Sequence, residues 1–271
     1  MHSVSFLVAA AYSHGSCVPQ LRLRETDFKP AVSVGNVGQL AVDLIISSLN
    51  MPKVGYFYTD CLVPMVGSNP YATNEDHAKE LCINAEVYAS SDKKLAVLQI
   101  RSPLIKNKSR AFCQALTCWI KQCAFSRVVL LSSSHAYQRD DSQLLGSPFR
   151  YLVTPTLQTL VADTMKALEW KEMEKLSLYP GINDEEKKIS IPGGGFTKRL
   201  FEDCCSEGIH MAAVLKFCSE GDNVPDAFAL LDHVNRWLNL LDFPDDVGTT
   251  RWKVPSSWRL LFGGGLPSAL F

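Results

Sequence analysis

The chain has 271 residues, 46% of them hydrophobic, which is ample for a sizeable buried core. Its 27 Lys and Arg nearly balance 28 Asp and Glu, so no global field draws it to nucleic acid or to an acidic membrane surface. No stretch approaches the ~20 uninterrupted apolar residues of a membrane-spanning helix; neither a membrane nor nucleic acid is an expected partner.

The first 29 residues are read as a leader, disordered or loosely packed. Val4 to Ala11 is apolar and ends in small residues, but no Lys or Arg precedes it, as a secretory signal would require. From Pro30 to Val34 a short apolar strand is expected, followed by a helix over Val37 to Leu49 with Leu40, Leu44 and Ile45 on one side, then a strand over Lys53 to Thr59. Residues 60 to 82 read as a loop-rich excursion. Two β-rich runs, "INAEVYA" and "KLAVLQIR", stand four residues apart and predict a hairpin. "KSRAFCQALTCWIKQC" has helical spacing, and "RVVLLSS" reads as an inner strand covered on both faces.

Residues 156 to 176 are expected to be helical, with a charged connection at 183 to 188 and a short helix near 196 to 206. A strong strand, "IHMAAVLKF", and a last long helix, "VPDAFALLDHVNRWLNLL", complete the pattern. Pro225 suits that helix's first turn, where a missing N–H is harmless. Alternating strands and helices predict one α/β domain over residues 30 to 243: a three-layer α/β/α sandwich around a mostly parallel or mixed central sheet.

Several motifs invite a chemical reading. Gly35 and Gly38 form G-x-x-G, not the G-x-G-x-x-G of a dinucleotide fingerprint, so the turn reads as strand-to-helix geometry, with anion binding at the helix start left as the alternative. "PGGGFTK" at 192 to 198 lacks Walker A spacing and reads as a flexible connection. Ser132, Ser133, Ser134, His135 and Asp140 follow a strand, where α/β proteins often place active sites, but neither G-x-S-x-G nor H-E-x-x-H occurs. A phosphorylase- or hydrolase-like enzyme using the Gly35–Gly38 turn with Ser134 and His135 is thus the rival to a binding protein. The nine cysteines, odd in number and without C-x-x-C spacing, read as reduced thiols in a reducing compartment, with no metal or cofactor implied.

Residues 244 to 271 change character. Trp252, Trp258, Leu260, Leu261, Phe262, Leu266, Leu270 and Phe271 are too apolar for a solvated linker, while Gly263 to Gly265 deny the segment a regular element. The segment is read as an apolar arm with Trp258 and Phe262 as its anchor and Leu266, Ala269, Leu270 and Phe271 at its tip. Two destinations stay open: a pocket on another protein, or the arm's own domain.

Taken together, "PAVSVGNVGQLAVDLIISSLN", "GYFYTDCLVPMVGSNPYAT", "VVLLSSSHAYQRDD", "IPGGGFTK", "LKFCSEGDNVPDA" and "PSSWRLLFGGGLPSALF" resemble the proteasome assembly chaperones, from about residue 30 to residue 271. The resemblance implies a non-enzymatic protein, cytoplasmic and nuclear, that forms a heterodimer with proteasome assembly chaperone 1. The pair holds proteasome α subunits during α-ring formation and prevents off-pathway ring dimerisation. Related chaperones dock through C-terminal tails ending hydrophobic, tyrosine, any residue. Ala269, Leu270 and Phe271 occupy those positions here, so Leu270 replaces the tyrosine and one directed hydrogen bond, typically ~0.5–1.5 kcal/mol net, is lost.

Overall fold

A computed structural model describes residues 33–72, 77, 79–176, 188–242 and 252–260. Of the strand expected at Pro30 to Val34, residues 30–32 lie outside the described residues. Ser33 makes an isolated antiparallel bridge to Gly194, and Val34–Asn36 is a 3-10 turn leading into helix α1 (Val37–Ser48). That helix is buried on almost every side, including Leu40, Leu44 and Ile45. It is therefore a core helix rather than a surface one.

A first sheet has the order β1–β4–β5 and is antiparallel throughout: β1 (Lys53–Tyr56), β4 (Ala85–Ser90) and β5 (Leu95–Ile100). The β4–β5 pairing, from Ala85 opposite Ile100 to Ser90 opposite Leu95, is the hairpin predicted from the four-residue spacing. The excursion at 60 to 82 is less irregular than its Pro and Gly content suggested. It holds β2 (Val66–Ser68), which pairs antiparallel with β3 (Leu81–Ile83).

The second sheet has the order β6–β10–β7: β6 (Val128–His135), β7 (Phe149–Val153) and β10 (Met211–Cys218). β10 runs parallel to β6 and antiparallel to β7. The middle position belongs to β10, so β6, expected as an inner strand, flanks it in the ladder. Among the described strand ladders only β6–β10 is parallel, which makes the arrangement mixed.

Alternate side chains of this sheet enter different cores, as the two-residue period of a strand requires. Val129, Leu131, Val153, Ala212 and Val214 join one cluster with Leu44, Val161 and Leu230. Their neighbours Val128, Leu130, Leu152, Ala213 and Leu215 join a second with Phe112, Leu116 and Leu200. The helices contributing to the first are α1, α4 (Pro155–Ala167) and α6 (Val224–Leu238); those contributing to the second are α2 (Ser109–Gln122) and α5 (Thr197–Ser206). Each face of the sheet thus has its own apolar cover, and the chain is a mixed α/β fold.

The expected long helix is corrected. The helix predicted over 156 to 176 ends at Ala167, and Lys175–Leu176 form a short strand, β8, pairing with β9 (Lys188–Ile189). The stretch between β6 and β7 also contains a one-turn helix, α3 (Asp141–Leu144).

Near the sheet edge His233 of α6 is stacked between Phe149, 4.2 Å away, and Trp170, 4.1 Å away. Burial, reinforced by Arg236, holds its imidazole well below the ordinary 6.5, at about 4. Because the folded state disfavours the proton, the contribution of His233 to stability is complete above pH 6.5 and is lost as pH falls toward 4. Urea midpoints measured across that window should therefore fall more steeply for the wild type than for His233→Phe, which keeps the stack without a titrating ring. Parallel pH profiles would refute this assignment.

Candidate functional site

The Gly35–Gly38 turn has no open cradle. Gly35 sits at φ 66°, and a Cβ built there would lie 2.3 Å from Oδ1 of Asn223. That carboxamide is itself fixed, donating to the Ser219 carbonyl at 2.8 Å and to Asp226 Oδ2 at 2.7 Å. Glycine is needed because only a hydrogen fits against Asn223 in a left-handed conformation. The space beside Gly35 is filled by that side chain.

"PGGG" is not the flexible connection expected from composition. Val34 N–H donates to the Gly193 carbonyl at 2.9 Å, His135 N–H donates to the Pro192 carbonyl at 2.9 Å, and Gly194 closes a turn onto Ile191. Gly193 adopts φ 74° with its missing Cβ only 2.6 Å from the His135 ring. The glycines permit close approach rather than motion.

The serine run is committed to the scaffold as well. Ser132 Oγ lies 2.7 Å from Thr197 Oγ1, Ser133 donates to the Val34 carbonyl at 2.6 Å, and Ser134 donates to the Pro192 carbonyl at 2.8 Å. These hydroxyls tie the strand end to the turn before α1 and to the glycine loop. The His135 ring lies 4.8 Å from that of Tyr137, tilted by 41°, and Asp140 caps α3 in a reciprocal box with Gln143. Ser134, His135 and Asp140 thus take separate roles, not those of nucleophile, base and orienting acid.

Cysteine chemistry is equally subdued. Burial pushes the Cys113 and Cys204 thiols up to about 12, far from the thiolate. Cys17 lies outside the described residues.

Sequence reading missed a charged cluster under the excursion. Asp43 of α1, 3% exposed, accepts from Arg101 Nη2 at 2.7 Å, from Gln99 Nε2 at 2.7 Å and from the Tyr71 hydroxyl at 2.6 Å. The one charged residue of α1 was the available signal, but its partners stand 28 to 58 residues away.

Of the arm residues, Trp258 is buried in the first core cluster with Trp252, and its ring lies 6.4 Å from that of Phe228. Trp252 Nε1 donates to Asp232 at 2.8 Å. Phe262, Leu266, Ala269, Leu270 and Phe271 lie outside the described residues. Large apolar side chains are exposed elsewhere: Val54 and Tyr56 on β1, Val66 and Leu81 on the β2–β3 hairpin, and Tyr137, Leu144 and Leu145 between β6 and β7. Tyr137 and Leu145 are each 74% accessible, a concentration within nine residues that a solvated loop has no intrinsic reason to display.

These features, closed turns, committed hydroxyls and apolar side chains facing outward, place the chain with mixed α/β proteins whose surface carries the interest. The chain belongs to the PAC2 family, whose model matches residues 28–246. It is similar to proteasome assembly chaperone 2 of Xenopus tropicalis, 69% identical over 242 residues, covering 89% of this chain and 93% of that protein. It is also similar to the Homo sapiens protein of that name, 60% identical over 245 residues, covering 89% of this chain and 93% of the other. With that of Danio rerio it is 56% identical over 259 residues, covering 96% and 99%. Among solved structures, a protein of unknown function from Thermoplasma acidophilum matches with a TM-score of 0.56 at 16% identity, covering 83% of this chain and 76% of that one. PbaA of Pyrococcus furiosus, an archaeal homolog of proteasome-assembly chaperone, matches with a TM-score of 0.54 at 14% identity, covering 78% and 75%. At these identities the two structures share the fold.

Proposed function

We propose that this chain assists assembly of the proteasome core particle, acting as a heterodimer with proteasome assembly chaperone 1. The pair would hold α subunits during α-ring formation and prevent off-pathway ring dimerisation, in cytoplasm and nucleus. The observation that carries the proposal is the match of 60% over 245 residues, spanning 93% of the human proteasome assembly chaperone 2. The exposed Tyr137, Leu144 and Leu145, and Val54, Tyr56, Val66 and Leu81, support a protein that meets others through apolar contacts. In this reading the sheets form the middle of a three-layer α/β/α sandwich, supported by the division of alternate strand residues between two cores. The protein works without catalysis or cofactor; the hydrogen bonds of Ser132, Ser133 and Ser134 support that view, since each hydroxyl holds scaffold rather than facing a substrate.

The arm beyond Gly265, with Leu266, Ala269, Leu270 and Phe271, is the proposed docking element for the α subunits, anchored through Trp258 and Phe262. Co-purification from lysate with the full chain and with a chain ending at Gly265, read by mass spectrometry, tests both parts. The full chain should recover proteasome assembly chaperone 1 with α subunits, and the shortened chain should keep the partner but lose the α subunits. Equal recovery by both would move recognition to the globular surface. Failure of the full chain to recover either would overturn the assembly reading.

A further inference from the structure

The β2–β3 hairpin and the C-terminal segment at 252–258 are far apart in sequence, yet both are fastened at Pro70 and Tyr71. The Asn69 N–H donates to the Glu80 carbonyl at 3.1 Å, next to the last hairpin pair of Ser68 and Leu81. The Asn69 side chain then accepts from the Tyr71 N–H at 3.1 Å, and its carbonyl accepts from Ala72. This compact turn aims the Tyr71 ring inward. There the hydroxyl donates to Asp43 Oδ1 at 2.6 Å and accepts from Arg101 Nη2 at 2.8 Å, while the ring meets Tyr88 edge-on at 5.5 Å.

The carbonyl immediately before this plug receives the C-terminal segment. Pro70 O accepts from Ser256 Oγ at 3.0 Å and from the Ser257 N–H at 3.2 Å. The rest of the strap is held by α1 and α6: the Lys253 N–H donates to Ser48 Oγ at 2.8 Å, Trp252 bonds Asp232, and Trp258 packs near Phe228. The strap's own end therefore rests on a loop that the partly buried Tyr71 phenol ties to the core.

We propose that Tyr71 is a latch joining the β2–β3 hairpin to the C-terminal strap, so that displacing the hairpin loosens the root of the arm. The coupling is reciprocal: whatever stabilises the strap on Pro70 also stabilises the hairpin tip. A protein covering the exposed Val66 and Leu81 would bias the latch. Only the consequence for docking, that the latch sets where the arm starts, rests on the assembly reading; the latch itself does not.

Hydrogen–deuterium exchange on the full chain tests it without any partner. Tyr71→Phe keeps the ring against Tyr88 and removes the hydroxyl, and it should speed exchange at Ser257 and Trp258 by about 10-fold, while β6 and β10 stay unchanged. Ser256→Ala, which leaves the buried cluster intact, should in turn speed exchange at Asn69 and in the hairpin. Unchanged strap exchange in Tyr71→Phe overturns the latch, as does an effect of Ser256→Ala confined to the strap. Acceleration spreading to β6 and β10 in Tyr71→Phe would reveal a general core defect, and would also overturn it. A failed co-purification would leave these exchange rates untouched, so the two proposals fail separately.

Discussion

Replacing Arg101 by Met should cost about 3–5 kcal/mol of folding stability, the range for breaking a buried ion pair from one side. The side chains of Arg101 and Asp43 are only 8% and 4% exposed. Removing the guanidinium leaves the carboxylate in the core with only Gln99 and the Tyr71 hydroxyl to solvate it. The net value of the intact pair is a separate quantity, because both charges lost hydration on folding. Asp43→Leu combined with Arg101→Met should therefore cost less than Arg101→Met alone. Urea unfolding of the wild type, both single variants and the double variant supplies the cycle. A loss near 0.5 kcal/mol for Arg101→Met, ordinary for a surface change, would show that Asp43 is solvated in the folded state.

That cluster marks the limit of what could be read from the chain. Where local pattern decides structure, reading succeeded: α1, α2, α5 and α6 declare themselves by apolar spacing, and the short link in "SSDK" specifies the β4–β5 hairpin. Where a buried polar partner decides it, reading failed. β7, where Arg150 interrupts "FRYLV", was not anticipated, and that arginine is 1% exposed. It bonds Glu174 at 2.8 Å and the Ser147 carbonyl at 2.7 Å, contacts invisible before folding. The helix expected through residue 176 stops early because Glu169 turns to φ 56°, and the chain returns toward β7, bridging Glu172 to Tyr151.

The candidate site was legible in part for the same reason. An apolar C-terminal segment announces itself by composition, whereas exposure of Tyr137, Leu144 and Leu145 is set by what turns inward beside them. Gln143, 3% exposed, donates to Glu174 and caps α3, taking the interior place that an isolated pattern would assign to a leucine. Composition likewise suggested a loose "PGGG" connection, when those glycines serve a close contact with His135.

The second large effect concerns Gly35, where two readings of the same motif diverge in outcome. Gly35→Ala should destabilise by roughly 2–5 kcal/mol, combining about 1–2 for an L-residue in the left-handed region with about 1–3 for forcing a methyl into filled space. The obstruction is specific: the new carbon would stand 2.3 Å from Asn223 Oδ1 and 2.4 Å from its Cγ. Asn223→Ala removes both atoms, so in the Gly35→Ala background it should return the steric share and leave the conformational one. On its own, Asn223→Ala loses the bonds to Ser219 and Asp226 and should cost on the order of 1 kcal/mol. Chemical denaturation of the four proteins gives the coupling directly. Strong compensation assigns the glycine to packing against the start of α6; strictly additive losses would mean that Asn223 moves aside freely, and the turn would regain the open space an anion needs.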